Sequence, residues 1–169
     1  MKSLVLFAHG KESGPWGSKI KHLAQIAERL GAKVLSPDYT SLQNPDDRVR
    51  HLLALPLVPH DKLFLVGSSM GGYVSTIASV RLKPAALFLM APAFFIDGYD
   101  NQNPVSAAKR TMIVSGWQDE VIPVEHSIRF AQQQRAELHL LDSDHRLNSA
   151  LPQLGHLFEL FLEQVLSNP

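Results

Sequence analysis

The chain contains no cysteine among its 169 residues. This absence excludes disulfide bonds, thiolate catalysis and metal sites with sulfur ligands. The chain also lacks an excess of either charge, because sixteen basic and sixteen acidic side chains give a formal net charge of zero. The chain therefore has no overall charge that would attract nucleic acid or an anionic membrane surface. We expect neither as a partner.

Long hydrophobic runs are also missing. No segment approaches the roughly 20 apolar residues that a membrane-spanning helix needs. The apolar run at residues 4–8 is too short for the core of a secretory signal, and it leads directly into His9 and Gly10, which favour a turn. We expect a soluble, cytoplasmic protein.

Sequence signatures of bound cofactors and metals are absent. Gly10, Gly14 and Gly17 do not have the spacing of a dinucleotide fingerprint, and no phosphate-loop lysine pattern occurs. Six histidines are scattered without the short spacing of metal ligands: His22, His51, His60, His126, His139 and His156. We expect no cofactor and no metal.

Apolar residues are plentiful, at 45% against 19% charged residues, which is typical of a compact folded body. A chain of this length can bury a continuous core without disulfides or metals. We expect a single domain over residues 1–169. The irregular segment at residues 91–110 is too short to form a separate cap domain.

Short apolar runs alternate with segments of helical periodicity along the whole chain. The predicted strands are residues 4–8, 33–36, 63–66, 86–90, 111–115 and 137–141. The predicted helices are residues 17–30, 45–55 after a cap at Asn44, 72–82, 123–134 and 151–166. This alternation predicts an α/β fold with a mostly parallel sheet of about six strands and helices on both faces. In such sheets, ligands bind beyond the carboxyl ends of the strands.

Residues 67–72, Gly-Ser-Ser-Met-Gly-Gly, follow a predicted strand and precede a predicted helix. They have the form of a nucleophile elbow, a turn so tight that the residues flanking the nucleophile must be small. Gly67 and Gly71 meet this demand, which makes Ser69 the candidate nucleophile. Ser68 should point away from the site. Glycine and serine also form ordinary turns, so the motif alone is weak evidence.

A serine nucleophile needs an imidazole to accept its proton and a carboxylate to orient that imidazole. Asp119 follows the fifth predicted strand and His145 follows the sixth, each in a turn before a helix. Taken singly, Ser69 also suits a turn, Asp119 a helix cap and His145 a loop. Their joint occurrence after three strands favours catalysis.

Other carboxylates compete with Asp119 for the role of partner to the imidazole. Asp97 and Asp100 follow the fourth predicted strand and rank below it. Asp142 and Asp144 flank the histidine and are interpreted as turn or cap residues.

With these motifs, the chain resembles the α/β-hydrolase superfamily over nearly its whole length. The resemblance rests on His9-Gly10, on the elbow, on the G-x-x-D-x-x-[VI]-P pattern of residues 116–123, and on Asp144-His145. The chain is most similar to small, single-domain, esterase-like members without a cap. This similarity implies a minimal hydrolase fold with strand order 2-1-3-4-5-6, lacking the two antiparallel edge strands of longer members.

In function, the resemblance implies that Ser69 attacks an acyl carbon, that His145 acts as base and then acid, and that Asp119 orients His145. Backbone N–H groups of Met70 and Lys11 would form the oxyanion hole, with Gly10 as the alternative to Lys11. The implied activity is hydrolysis of small carboxylic esters through an acyl-enzyme. The alternatives are a non-catalytic binding or scaffold protein that keeps the fold, and an acyltransferase or perhydrolase.

Five residues in loops near the proposed site are candidates for a substrate pocket: His9, Gly10, Trp16, Phe94 and Trp117. For His9, the competing interpretation is that it holds the loop backbone. Phe94 is equally suited to sealing the edge of the core. We expect the pocket to be shallow and open.

Overall fold

The structure, a computed structural model, describes residues 1–167. Its strands are β1 (Ser3–Ala8), β2 (Lys33–Leu35), β3 (Lys62–Ser68), β4 (Ala86–Met90), β5 (Arg110–Gly116) and β6 (Glu137–Leu141). Its helices are α1 (Ser18–Arg29), α2 (Pro45–Ala54), α3 (Met70–Leu82), α4 (Val124–Gln134) and α5 (Leu151–Ser167), and a 3-10 turn at Asn148–Ala150 precedes α5.

The strands form one sheet in the order β2-β1-β3-β4-β5-β6, with all neighbouring pairs parallel. The predicted α/β architecture and strand order are therefore confirmed. Because the strands are parallel, their carboxyl ends meet at one edge, where the loops after β1, β3, β5 and β6 lie together.

Side chains of each central strand alternate between two hydrophobic layers. In β1, Val5 and Phe7 pack into the layer that contains α1 and α5, which we call the α1/α5 layer. Leu4 and Leu6 pack into the layer that contains α2, α3 and α4, which we call the α2/α3/α4 layer. The uninterrupted apolar run at the start of the chain follows from this burial on both faces.

Two boundaries near the elbow differ from the prediction. β3 continues to Ser68, because Gly67 and Ser68 pair with β4. α3 begins at Met70 and not at residue 72. The chain reverses at the single residue Ser69, so the tight turn that the motif predicts is shorter than the segment 67–71 left between the predicted strand and helix. Within residues 1–167, none of the helices is long and apolar enough to cross a membrane.

Candidate active site

Ser69 occupies the corner between β3 and α3 in a strained backbone conformation, with φ 54° and ψ −117°. Such angles are uncommon for a residue with a side chain and persist only where the surroundings enforce them. The N–H of Ser69 donates to the Met90 carbonyl at 2.9 Å, and its carbonyl accepts from the N–H groups of Gly72 and Ala93, each at 2.9 Å. These bonds fix the corner against the end of β4.

The glycines that flank Ser69 have no room for a side chain. A Cβ atom on Gly71 would lie 1.9 Å from the Ala8 carbonyl oxygen, and one on Gly67 would lie 2.3 Å from the Gly71 carbonyl oxygen. Both contacts are with backbone, which cannot rotate aside. The prediction that these two positions must be small is confirmed.

His145 contacts both of the other residues proposed for the triad. Its Nε2 lies 3.1 Å from Ser69 Oγ, and its Nδ1 lies 2.7 Å from Asp119 Oδ2. The other oxygen of Asp119 accepts from the N–H groups of Val121 at 2.9 Å and Ile122 at 2.8 Å. The Asp119 side chain is only 1% exposed, against 18% for His145. A carboxylate held in this way keeps the proton on Nδ1 and leaves Nε2 free to accept the serine proton.

The loops that carry Asp119 and His145 are pressed against each other at Gly116. A Cβ atom there would lie 2.1 Å from the carbonyl oxygen of Ser143. The N–H of Gln118 donates to this same oxygen at 3.0 Å. This close approach brings Asp119 and His145 within hydrogen-bonding distance, although 26 positions separate them in sequence.

The competing acidic residues have other contacts. Asp144 Oδ1 accepts from the backbone N–H of Arg146 at 3.0 Å and of Leu147 at 3.2 Å, which supports its interpretation as a turn residue. Asp142 Oδ1 accepts from the Gln118 side chain at 2.6 Å. Asp100 donates its own N–H to Asp46.

The loop after β1 passes directly beside the serine. A Cβ atom built on Gly10 would lie 3.5 Å from Ser69 Cβ, in ordinary contact. Met70 is the first residue of α3, where the backbone N–H has no acceptor within the helix. In the part of the chain that the structure describes, the N–H groups of Met70 and Lys11 have no hydrogen-bond acceptor. Both remain available to a ligand.

His9 does not contribute its side chain to a pocket. The side chain is 0% exposed, its Nε2 accepts the N–H of Tyr39 at 2.9 Å, and its Nδ1 donates to the Gly10 carbonyl at 2.7 Å. Because a backbone N–H can only donate, the imidazole proton must be on Nδ1. Burial lowers the pKa of His9, which favours this neutral form. The pocket assignment was wrong, and the competing interpretation of a histidine that holds the loop backbone is confirmed.

The pocket assignment of Phe94 was also wrong. Phe94 is 0% exposed, and its ring stacks on that of Phe130 with the centroids 4.2 Å apart. It seals the α2/α3/α4 layer beneath the loop. Trp16 and Trp117 are 45% and 57% exposed, so they remain candidates for contact with a ligand.

The structure adds two cationic residues that the sequence analysis did not single out. Arg48 is fully buried in α2 and donates to backbone carbonyls of the loop after β1. Its position gave a signal, because it falls on the same buried face of α2 as Val49 and Leu52. Burial lowers the pKa of Lys19 to about 8, an effect opposed by the nearby carboxylates of Asp144 and Asp119. We find no sequence signal for Lys19.

Comparison with known proteins gives one family and several similar structures. The model of the family described as the alpha/beta hydrolase family matches residues 5–165. A protein from Xanthomonas campestris pv. campestris, classed as a hydrolase of the alpha/beta superfamily, is 32% identical, with a TM-score of 0.87 over 97% of this chain and 99% of that one.

Two further structures share the fold at lower identity. The ferulic acid complex of Est1E from Butyrivibrio proteoclasticus is 17% identical, with a TM-score of 0.83 over 98% of this chain and 90% of that one. An α/β serine hydrolase without a lid from Xanthomonas campestris is 19% identical, with a TM-score of 0.72 over 96% and 81% of the respective chains. The comparison with curated proteins gives no match.

Proposed function

This chain belongs to the alpha/beta hydrolase family and is a hydrolase, and on that premise we propose that it is a serine hydrolase with Ser69, His145 and Asp119 as its catalytic triad. The observation that carries the proposal is the continuous pair of hydrogen bonds from Asp119 through His145 to Ser69, at 2.7 and 3.1 Å. A serine hydroxyl at its ordinary pKa is a weak nucleophile, and this arrangement supplies the base that activates it.

In the first half of the reaction, Ser69 Oγ bonds to the acyl carbon while its proton moves to His145 Nε2. The carbonyl π electrons move onto the carbonyl oxygen, which becomes an oxyanion. The intermediate then collapses, the bond to the leaving alcohol breaks, and the alcohol oxygen takes the proton from Nε2. Asp119 stabilises the imidazolium that exists between these two transfers.

In the second half, a water molecule replaces the serine as the nucleophile. It gives a proton to Nε2 and attacks the acyl carbon of the acyl-enzyme. The bond to Ser69 Oγ then breaks, the proton returns from Nε2 to Oγ, and the acid is released. The N–H groups of Met70 and Lys11 stabilise the oxyanion in both halves. The dipole of α3 adds to the contribution of Met70, because the helix begins at this residue.

The proposed substrates are small carboxylic esters, bound in a shallow, open site with Gly10 at its floor and Trp16 and Trp117 at its rim. Support comes from the exposure of both tryptophans and from the connection between β4 and β5, which contains no helix in the described chain. We therefore propose a single domain without a cap. A small amide or thioester would follow the same mechanism.

The test uses a fluorophosphonate probe, which bonds covalently to an activated serine, and a panel of p-nitrophenyl esters of increasing acyl length. We expect the wild type to be labelled and to hydrolyse the short esters fastest. Ser69→Ala should abolish labelling and lower kcat by about 10⁴- to 10⁶-fold.

Ser68→Ala is the matched control. Ser68 is the neighbouring serine, buried at the end of β3, and it forms no hydrogen bond with His145 within residues 1–167. This variant should keep its labelling. A folded wild type that neither reacts with the probe nor cleaves any ester would disprove the proposal and favour a non-catalytic binding protein. Product analysis with competing alcohol or peroxide acceptors distinguishes hydrolysis from acyl transfer.

A further inference from the structure

We propose that Arg48 is a positioning residue of the oxyanion hole, which holds the peptide between Gly10 and Lys11 so that the Lys11 N–H points at the developing oxyanion. The inference rests on the proposed function and assigns a role to a residue outside the triad. It is carried by the hydrogen bonds of one buried guanidinium and by the geometry of the peptide bond.

The Arg48 side chain is completely buried, and within residues 1–167 its hydrogen bonds are all to main-chain carbonyls. Nε donates to the Leu42 carbonyl at 2.7 Å, and Nη1 donates to the carbonyls of His9 at 3.0 Å and Gly10 at 3.2 Å. In the described chain, no carboxylate oxygen lies within 4.0 Å of it. A buried charge without an ion pair is costly, and the carbonyl dipoles at Nε and Nη1 provide part of the compensation. Nη2 is buried without a hydrogen-bond partner in the described chain.

The Gly10 carbonyl accepts from two side chains at once. Arg48 Nη1 donates to it at 3.2 Å, and His9 Nδ1 donates to it at 2.7 Å. A trans peptide is planar, so its C=O and N–H groups point in opposite directions. The peptide between Gly10 and Lys11 is trans, as are all those in the described chain. Holding the carbonyl towards buried Arg48 therefore turns the Lys11 N–H away from the core.

That N–H has no acceptor within residues 1–167, and the preceding residue lies beside the nucleophile. Gly10 approaches Ser69 closely enough that a Cβ atom there would be 3.5 Å from Ser69 Cβ. A donor on the next residue is thus near the position that the oxyanion would occupy. A donor that is aimed in advance needs no reorganisation when the charge forms, which is how an oxyanion hole lowers the barrier.

Arg48 also supplies charge to this peptide. His9 is held in its neutral form by the Tyr39 N–H, so Arg48 is the cation that hydrogen-bonds to the loop. A cationic donor on a carbonyl polarises the peptide group and strengthens the N–H at its other end as a donor. The guanidinium therefore acts on the transition state through one peptide bond, without contact with the substrate.

The test compares Arg48→Met and Arg48→Lys with Arg50→Met. Arg50 lies on the same helix but is exposed and paired with Asp47, which makes it a matched control. For each variant, kcat and KM are measured on p-nitrophenyl acetate. Ki is measured for a trifluoromethyl ketone, which forms a hemiketal oxyanion with an active serine, and folding is checked by circular dichroism.

For Arg48→Met, we expect kcat to fall about 10- to 100-fold with KM little changed, and the Ki of the ketone to rise by the same factor. Arg48→Lys keeps the charge but not the fork of donors, so its losses should be intermediate. Arg50→Met should match the wild type in every measurement.

A folded Arg48→Met with unchanged kcat and Ki would overturn the proposal, as would a fall in kcat without a matching rise in Ki. If Arg48→Met does not fold, Arg48→Lys decides: parallel losses support the role, and wild-type values of both constants overturn it. Failure of the proposed function itself would look different, because the wild type would then neither react with fluorophosphonate nor cleave the ester.

Discussion

At the scale of single residues, Asp119 shows how one side chain meets two demands. Oδ1 accepts from the N–H groups of Val121 and Ile122 and so shapes the turn before α4, while Oδ2 contacts His145. Asp119 does not cap α4, which begins at Val124 after Pro123 with no side-chain cap. Its hydrogen bonds to the preceding turn are compatible with its contact to His145, because they use different oxygens. Because the hydrogen bonds to the turn fix the plane of the Asp119 carboxylate, Oδ2 has little freedom to move. The orientation of the imidazole therefore depends on the loop as well as on the single hydrogen bond to Oδ2.

Because Oδ1 binds the turn and Oδ2 binds His145, two substitutions of Asp119 should give different results. In Asp119→Asn, the amide oxygen can still accept from the turn, but the amide nitrogen then faces His145 Nδ1 and donates to it. Nε2 would carry the proton and could not accept one from Ser69. We expect kcat to fall by about 10⁴-fold, as for such a change in other triads, while the midpoint of thermal unfolding changes by only a few degrees.

Asp119→Ala removes both functions and should lower kcat and the unfolding midpoint together. The measurements are ester hydrolysis and thermal unfolding monitored by circular dichroism. An Asp119→Asn variant with more than about a tenth of wild-type activity would contradict the assigned role, since a wrong tautomer costs far more than that.

At the scale of secondary-structure elements, the site depends on how closely α3 approaches β1. Gly71, in the first turn of the helix, lies against the carbonyls of Ala8 and His9 at the end of the strand. This proximity places the N-terminus of α3 next to the loop after β1. The two N–H groups that we propose for the oxyanion hole, those of Met70 and Lys11, therefore come from two different elements. Packing between elements therefore sets the geometry that we assign to the oxyanion hole.

We expect Gly71→Ala to be strongly destabilising, because the added Cβ would lie 1.9 Å from the Ala8 carbonyl oxygen and would force the helix away from the strand. The free energy of unfolding, measured by urea denaturation, should fall by about 2–4 kcal/mol.

The control is Gly14→Ala, in the loop after β1, where no heavy atom lies within 4 Å of the added Cβ. Its free energy of unfolding should stay within about 0.5 kcal/mol of the wild type. Equal stability of the two variants would show that the close contact between α3 and β1 is not maintained in solution.

At the scale of the whole molecule, two hydrophobic layers share one sheet. Phe88 of β4 packs with Phe158 in the α1/α5 layer, their ring centroids 5.1 Å apart, while the neighbouring Leu87 and Leu89 belong to the α2/α3/α4 layer. The two layers pack on opposite faces of the same strands. Loss of one layer would therefore destabilise the strands on which the other layer packs. The fold should therefore unfold as one cooperative unit.

Phe158→Ala tests this cooperativity, because the three tyrosines of the chain all pack in the opposite layer. We expect a loss of about 3–5 kcal/mol in the free energy of unfolding from the deleted ring. The near-ultraviolet signal of the tyrosines and the far-ultraviolet signal of the backbone should shift to the same lower urea midpoint.

Leu160→Ala is the control on the same helix, where Leu160 is 42% exposed and should matter little. If the tyrosine signal of Phe158→Ala kept its wild-type midpoint while the backbone signal shifted, the two layers would be independent and the single-domain proposal would be contradicted.

Much of the fold could be predicted from the sequence because it is encoded locally. β4 and β6 were predicted with the bounds that the structure has, and Asn44 caps α2 as expected, with its side chain accepting from Asp46 and Asp47. Burial on both faces of a parallel strand leaves a continuous apolar run, and a helix cap requires particular side chains, so both appear in a single short segment.

The sequence by itself determined the order of elements and the sheet. It also singled out the three residues that we propose as the triad, Ser69, Asp119 and His145, because each follows its own strand in a recognisable turn. Only the tertiary structure decided which loop side chains face the core. Phe94 is buried by Phe130, and His9 is held by Tyr39, each from a distant part of the chain. The hydrogen bonds of the buried cation Arg48 were likewise decided only by the tertiary structure, although its place on the buried face of α2 could be read from the sequence. Its partners are main-chain carbonyls, which every residue carries, so no pattern of side chains could identify them before the chain was folded.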